Sequence, residues 1–426
     1  MIDVADVRLR PDEYQRAADQ KRVSVSISEF LALDQQYRDA LTAFESLRAE
    51  QNAMSKKIGA LKGQDRDQAL ASMKQVAEKV KELSEASRLL EEQWHGYQLR
   101  LASIPDARVP VGKDDSENVP LRVVGEVPQF GFAPRDHVAL AQMHRLFDAE
   151  RGVRIAGSRS YFLTGNGARL QHAVLSLAFD LLYKKGYTLM DPPHIVKYDA
   201  MMGTGYLPGD EDAAYRLDDR DPQQYLIGTS EVPVCSFHQE EILAEDELPK
   251  RYAGYSPCYR REAGSYGKDT TGMYRVHQFY KVEQVIICHA DAGVSAAFHQ
   301  EILGNAEELL GLLELPYRVV TVCTGDMGKG QVYKNDIECW MPSRNGYGET
   351  HSCSTFHEFQ ARRLGIRYKN KHGKNVFAHT LNNTLLASPR ILIPLLEMHQ
   401  QADGSIAIPR ALRPYLCGEE RWEVPA

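Results

Sequence analysis

Apolar residues recur in alternating steps of three and four along the first quarter of the chain: Phe30, Leu33, Tyr37, Ala40, Phe44, Leu47, Gln51, Met54, Ile58 and Leu61. That spacing is the seam of a coiled coil, because it keeps one stripe of a helix turned toward a partner. The polar run from Lys62 to Ala69 breaks the stripe, which resumes at Leu70, Met73, Val76, Val80, Leu83, Ser87, Leu90, Trp94, Tyr97 and Leu101. Two such helices joined by a polar tip predict an antiparallel hairpin, each helix roughly 50 Å long at the usual rise per residue. That length is too great for a small domain to cover, so the hairpin is expected to project into solvent; a hairpin packed on its own body or on a second subunit has the same periodicity. An N-terminal domain is therefore expected over 1–104, with a long arm over about 28–103.

The stretch IPDARVPVGKDDSENVP halts the pattern, so 105–119 is expected to be a linker and 120–426 a second domain. There an apolar helix is predicted over Ala168–Lys185, among short β-branched runs such as KVEQVIICH and YRVVTVC. Their irregular order predicts an α+β domain on a mainly antiparallel sheet flanked by helices, not a doubly wound parallel one.

Composition narrows the class without deciding the function. With 43% hydrophobic and 26% charged residues the chain reads as an ordinary globular protein. The first residues carry acids and bases where a secretory signal needs an apolar stretch, and no run approaches the ~18 apolar residues of a membrane span. A cytoplasmic protein with no membrane partner is expected. Seven cysteines stand singly with no C-x-x-C pair, which argues against a zinc ribbon or a disulfide framework. A net charge of −7 excludes a generally basic nucleic-acid coat but leaves room for local cationic patches.

The densest chemistry lies between Tyr259 and Glu283: a strand PCYRREA, a Gly-rich polar loop GSYGKDTTG, and a strand MYRVHQFYKVEQVII. Alternation in the second strand puts Arg275, His277, Phe279, Lys281 and Glu283 on one face. Guanidinium groups grip phosphate through a planar fork and a ring stacks on a base, so a nucleotide site fits this pattern. A polar sheet edge facing solvent has the same pattern.

The individual residues go further. The segment resembles motif 2 of class II aminoacyl-tRNA synthetases in its seryl form, where an Arg, one residue and a Glu open the loop and H-Q-F precedes K-V-E. Three further matches follow in that family's order. PPHIVKYDAMMGTGYLP resembles motif 1, with Pro193 at the motif proline; IGTSEVPV is similar to the amino-acid-binding T-x-E loop, and GETHSCSTFHEFQARR to the metal and ATP segment. HTLNNTLLASPRILIPLLEMHQ resembles motif 3, and the hairpin resembles the tRNA-binding arm of seryl-tRNA synthetases. The resemblance runs from Met1 to about Tyr415.

It implies an ATP- and Mg²⁺-dependent ligase that activates L-serine and charges tRNA(Ser), with tRNA(Sec) open as a further acceptor. By similarity Arg260 holds the α-phosphate, Glu262 the adenine side, Phe279 stacks on adenine, and Arg275 and Arg390 reach the terminal phosphates. Arg260 and Arg390 are thus the implied catalytic residues; Arg261, Val276, Thr350 and His351 complete the implied ATP set. Glu349 and Ser352 match magnesium-binding positions and offer hard oxygen ligands. Thr229, Ser230, Glu231, Glu283, Asn382 and Thr384 match the serine site. Lys56, Lys57, Lys62, Arg66 and Lys74 on the arm are available for tRNA phosphates, although a solvated coiled-coil surface would carry the same charges. A homodimer through motif 1 is implied as well.

The chain departs from the family pattern at Arg261, where Ser is common, and at Asn383, Thr384, Leu385 and Pro389, where smaller residues are usual; Thr384 keeps the hydroxyl of the usual Ser. A bulkier motif 3 is expected to bear on the serine pocket. His351 and Cys353 stand beside the metal positions, but no second Cys/His pair is near, so zinc is not expected. Two other readings stay open: a paralogue that passes serine to a non-tRNA acceptor, and a non-catalytic tRNA-binding homologue.

Overall fold

In a computed structural model that describes residues 1–59, 61–217, 224–263 and 272–426, the chain divides into two compact units, Ile2–Ile104 and Pro105–Ala426 with Met1. Short helices Val4–Leu9 and Pro11–Gln20 open the first unit and lead into two long helices, Ile27–Ile58 and Gln64–Gln98. Ser26 caps the first by accepting the Glu29 N–H at 3.3 Å. Gly63 turns the tip with φ of 62°, a conformation that costs glycine little.

The seam is well packed at the base. The Phe30 ring is fully buried, with centroids 6.4 Å from Trp94 and 5.7 Å from Tyr97. Asp34 is buried there too, with Arg8 donating to both of its oxygens at 2.8 Å and Trp94 Nε1 at 3.1 Å, so its charge is compensated. Farther out Phe44, Leu47, Met54, Val76, Val80 and Leu83 are only half-buried while most residues between them are exposed. A two-helix ribbon covers one side of each helix and no more. The second helix stops at Gln98, short of the expected 103.

Residues 105–119, expected to be a linker, group with the second unit. Asp106 N–H donates to the Val332 carbonyl at 2.9 Å, and Thr324 N–H to that of Pro110 at 2.9 Å.

The second unit is built on eight strands: β1 (Val119–Val124), β2 (Thr188–Met190), β3 (Lys250–Tyr259), β4 (Gln278–Cys288), β5 (Tyr317–Thr321), β6 (Tyr333–Met341), β7 (Gly346–His357) and β8 (His379–Ser388). Their order is β1-β5-β6-β7-β8-β4-β3-β2, antiparallel throughout except for the β2/β3 pair. Helices Asn166–Lys184 and Ala292–Leu312 contribute Leu170, Val174, Leu181, Ile302 and Leu309 to one large core with Val282, Ile286, Ile337 and Leu381. On the other face a smaller apolar cluster joins Val234 and Leu364 to Val285 and Ile287, and the polar positions of β4, β7 and β8 stand beside it.

The strands around motif 2 are shorter than alternation suggests. β3 ends at Tyr259 and β4 begins at Gln278, so Arg260, Glu262, Arg275 and His277 flank the strands and do not share their pleat. Residues 272–275 form a bend. The two flanks are still tied, since Arg260 N–H donates to the His277 carbonyl at 3.0 Å. Of the expected Gly-rich loop, 264–271 lie outside the described residues. Among those described, no helix is long and apolar enough to cross a membrane.

Candidate active site

Arg390 leaves the end of β8 and turns back toward β7. Its Nε donates to the Tyr274 carbonyl at 3.3 Å, and one terminal nitrogen lies 3.2 Å from the Glu349 carbonyl and 3.4 Å from its Oε2. The guanidinium carbon stands 4.4 Å from the Tyr274 ring centroid, and that of Arg344 stands 3.9 Å from the same centroid. Tyr274 thus has two cations against its ring and donates its hydroxyl to the Glu349 carbonyl at 3.2 Å. Arg260 Nε donates to the Gly228 carbonyl at 3.1 Å and its guanidinium lies 5.2 Å from the Phe279 centroid. Arg275 reaches Glu262 at 3.3 Å. One cavity is lined by Arg260, Glu262, Tyr274, Val276, Phe279, Pro389 and Arg390, which unites five residues of the implied ATP set. Arg261 is not among them; its side chain is exposed.

Glu349 and Ser352 would face opposite sides of a regular strand. A bulge intervenes: Glu338 pairs with Glu349 and Ile337 with His351, leaving Thr350 as the extra residue. Glu349 and Ser352 therefore share the face that carries Glu338 and Asp336. The displaced pair turns the other way, with Thr350 Oγ1 3.2 Å from Cys339 Sγ and 2.8 Å from His351 Nδ1. Both side chains are buried, so the side chains of Thr350 and His351 do not join the ATP face as the resemblance implied. Burial also pushes the His351 pKa down to about 4.

Burial drives the Glu349 carboxyl up, but Arg390, Lys334, Arg260 and Arg275 together hold it below its ordinary value. Beside it Asp336 accepts from Lys334 at 3.1 Å, has no partner for its buried Oδ1, and is pushed up by burial to about 7. A carboxylate, a hydroxyl and an unsatisfied carboxylate oxygen on one face fit a hard divalent cation. Among the described residues no three His, Cys, Asp or Glu side chains converge on a point, so any cation there takes other ligands as well.

The implied serine residues meet one strand over. Thr229 is buried; its Oγ1 accepts from Glu231 N–H at 3.1 Å and from Lys281 Nζ at 2.6 Å. Glu231 accepts from Tyr206 Oη at 3.1 Å and from Gln360 Nε2 at 2.7 Å. Burial, and then the nearby Glu283 charge, raise its pKa to about 7. Glu283 is paired with Lys281 and accepts from Thr384 Oγ1 at 3.4 Å. Asn382 is buried two residues from Thr384, its Nδ2 without a partner. Ser230 instead braces the loop, donating to the Gly254 carbonyl at 3.2 Å.

The motif 3 departures resolve into two kinds. Asn383 donates to the Ile302 carbonyl at 2.6 Å, and Leu385 is fully buried in the large core, so both point away from Glu283. Their extra bulk fills the helix side of the sheet. Pro389 lines the ATP-side cavity. Sequence reasoning assigned no role to Lys281, Gln360, Tyr206, Tyr274 or Arg344. Only Lys281 left a readable signal, two positions before Glu283 on one strand face.

A family pattern described as the tRNA synthetase class II core domain (G, H, P, S and T) matches residues 215–399, and one described as the seryl-tRNA synthetase N-terminal domain matches 1–105. A serine–tRNA ligase of Deinococcus radiodurans is 44% identical over 420 residues, spanning 99% of this chain and 98% of the relative. The crystal structure of seryl-tRNA synthetase from Pyrococcus horikoshii complexed with ATP superposes with a TM-score of 0.92 at 36% identity, covering 100% of both chains. That of the cytoplasmic serine–tRNA ligase from Naegleria fowleri in complex with AMP gives 0.85 at 29% identity, over 98% of this chain and 96% of that one. The chain belongs to the seryl-tRNA synthetases, within the class II aminoacyl-tRNA synthetase family.

Proposed function

We propose that the chain is a serine–tRNA ligase: it joins ATP and L-serine into seryl-adenylate and pyrophosphate, then hands the seryl group to the 3′-terminal ribose hydroxyl of tRNA(Ser). The observation that carries this reading is the bond from Arg260 to the Gly228 carbonyl, which couples a cationic cleft to a two-carboxylate pocket opening one residue later at Thr229. ATP lies in the cleft and the amino acid in the pocket, with the serine carboxylate directed at the α-phosphorus.

In that step a carboxylate oxygen bonds to phosphorus and the bond to the β-phosphate bridging oxygen breaks. No protein nucleophile takes part. Arg260, Arg275 and Arg390 lower the barrier by meeting the charge that grows on the phosphoryl oxygens and by holding the reactants in line. Glu349 and Ser352, with Asp336 beside them, would hold Mg²⁺, whose chemistry is to neutralise the phosphates of ATP. Glu231 receives the substrate ammonium, and Glu283 with Thr384 receives the side-chain hydroxyl. Alanine leaves that buried acceptor unpaired and is rejected for it.

Lys56, Lys57, Lys62, Arg66 and Lys74 are all exposed on the arm, as a phosphate-contacting surface requires. The reading includes a homodimer; exposed Ile155, Phe162 and Ile195 supply apolar surface of the kind an interface covers. The test is amino-acid-dependent ATP–pyrophosphate exchange. Serine is expected to drive it far better than alanine, threonine or cysteine, and exchange driven equally by alanine contradicts the pocket assignment.

A further inference from the structure

Two buried carboxylates face the amino-acid pocket, and their surroundings differ. Glu231 has neutral donors only, Tyr206 and Gln360. Glu283 has a cation, because Lys281, itself only 5% exposed, places its ammonium on Glu283 and within 2.6 Å of Thr229 Oγ1. Lys281 sits two residues before Glu283 on one face of β4, opposite Ser256 on β3 while Glu283 is opposite Gly254. With no side chain at Gly254, the space over that strand goes to Ser230, which an added Cβ would approach to 2.9 Å. The lysine is thus walled in between the T-S-E loop and the strand.

A buried lysine is destabilising unless it is paired and hydrogen-bonded, and this one is both. What it does follows from counting charges. By itself the pocket holds two carboxylates and one ammonium, and the bound amino acid brings a second ammonium, its own carboxylate being turned to the ATP cleft. We propose that Lys281 is a positioning residue for amino-acid selection: it is the permanent counter-ion of Glu283, fixing that carboxylate and the Thr229 hydroxyl so that one Glu283 oxygen is kept for the side-chain hydroxyl of the substrate. Glu231, which no cation touches among the described residues, is the carboxylate left for the substrate ammonium. Two sites of equal charge would accept an amino acid in either orientation; one occupied by its own lysine does not.

This inference rests on the amino-acid pocket assigned above. The test compares the wild type with Lys281→Met, with Glu283→Gln and with Lys281→Met/Glu283→Gln in ATP–pyrophosphate exchange, with serine and with alanine. Glu283→Gln removes the charge that Lys281→Met would strand, so the double variant, compared with Glu283→Gln alone, keeps the test open even where the single lysine variant folds poorly: a residue acting through Glu283 is expected to change the serine KM there by no more than about twofold. In Lys281→Met the serine KM is expected to rise about 10- to 100-fold, the scale of removing a charge-assisted hydrogen bond. The KM for ATP and kcat at saturating serine stay within about threefold, and the preference for serine over alanine collapses by a similar factor to the KM change. A folded Lys281→Met with unchanged serine KM and unchanged selectivity, or a further KM rise of about tenfold on adding Lys281→Met to Glu283→Gln, overturns the proposal while leaving the pocket assignment in place. A wild type that shows no serine-dependent exchange overturns the pocket assignment and this proposal with it.

Discussion

Glu349 and Ser352 are three residues apart on one strand yet face the same side of the sheet, because Thr350 bulges out of register between them. That one extra residue sends a carboxylate and a hydroxyl to the cationic face and sends Thr350 and His351 toward the core. A site that needs both oxygens on one face needs the bulge, and the bulge comes from register, which no residue type announces.

Arg390 is the group that ties motif 3 to this pair, through contacts at 3.2 and 3.4 Å to Glu349. Arg390→Ala is expected to cut serine-dependent ATP–pyrophosphate exchange about 100- to 1000-fold, the usual effect of removing one donor to developing transition-state charge. Binding of tRNA, measured by filter retention, is expected to stay within about twofold.

The carboxyl of Glu231, raised to about 7, gives a pH signature. Below that value the folded protein holds a proton there, and the substrate ammonium meets a neutral acid. The serine KM is therefore expected to rise as pH falls through 7, approaching about tenfold per unit, while kcat at saturating serine changes much less. Glu231→Gln should raise the KM and flatten its pH dependence. Stability runs with a defined sign: between the ordinary value of 4.5 and about 7 the unfolded chain has given up a proton that the folded one keeps. This group therefore makes stability fall with rising pH in that window, and urea titrations of wild type and Glu231→Gln across it check the difference.

How much of this was legible depends on whether a feature lives in local pattern or in register. The seam from Phe30 to Leu101 predicted both arm helices, and the aromatic packing of Phe30 on Trp94 follows from it. The mixed order of strand and helix predicted the antiparallel sheet. What pattern could not supply was where strands stop. Arg275 and His277 continue the alternation of Phe279, Lys281 and Glu283, yet the pairing with β3 ends at Tyr259 and Gln278, so the two residues bend out of the sheet. The stretch 105–119 has the composition of a linker, but Asp106 finds a backbone partner at Val332 and Pro110 finds one at Thr324. Gln360 and Tyr206 reach Glu231 from 129 and 25 residues away, and nothing local marks either as part of a pocket.

Gly254 offers a test of how tightly the T-S-E loop is set. A Cβ there would lie 2.9 Å from Ser230 Oγ and 3.0 Å from Val234 Cγ2. Gly254→Ala is expected to shift the loop, raise the serine KM several-fold without changing that for ATP, and reduce stability by about 1–3 kcal/mol, the usual effect of overpacking. Thermal melts and exchange kinetics on the same sample read both effects.

The arm residues should separate the two half-reactions. Replacing Lys56, Lys57, Lys62, Arg66 and Lys74 together by Gln is expected to leave serine-dependent exchange unchanged and to weaken transfer to tRNA. The salt dependence of tRNA binding should become shallower, with a slope reduced by about 0.7–0.9 for each phosphate that the arm no longer neutralises. Undiminished charging by the fivefold variant would reassign those side chains to a solvated surface.

The most direct measurement is acid-precipitable labelled serine on total tRNA, taken in the same preparation and buffer as serine-dependent ATP–pyrophosphate exchange. A serine–tRNA ligase gives both signals, and both vanish with Arg390→Ala. Exchange without charged tRNA would contradict the second half of the reaction and point to another acceptor for the seryl group; a folded protein that gives neither would contradict the ligase assignment at its root.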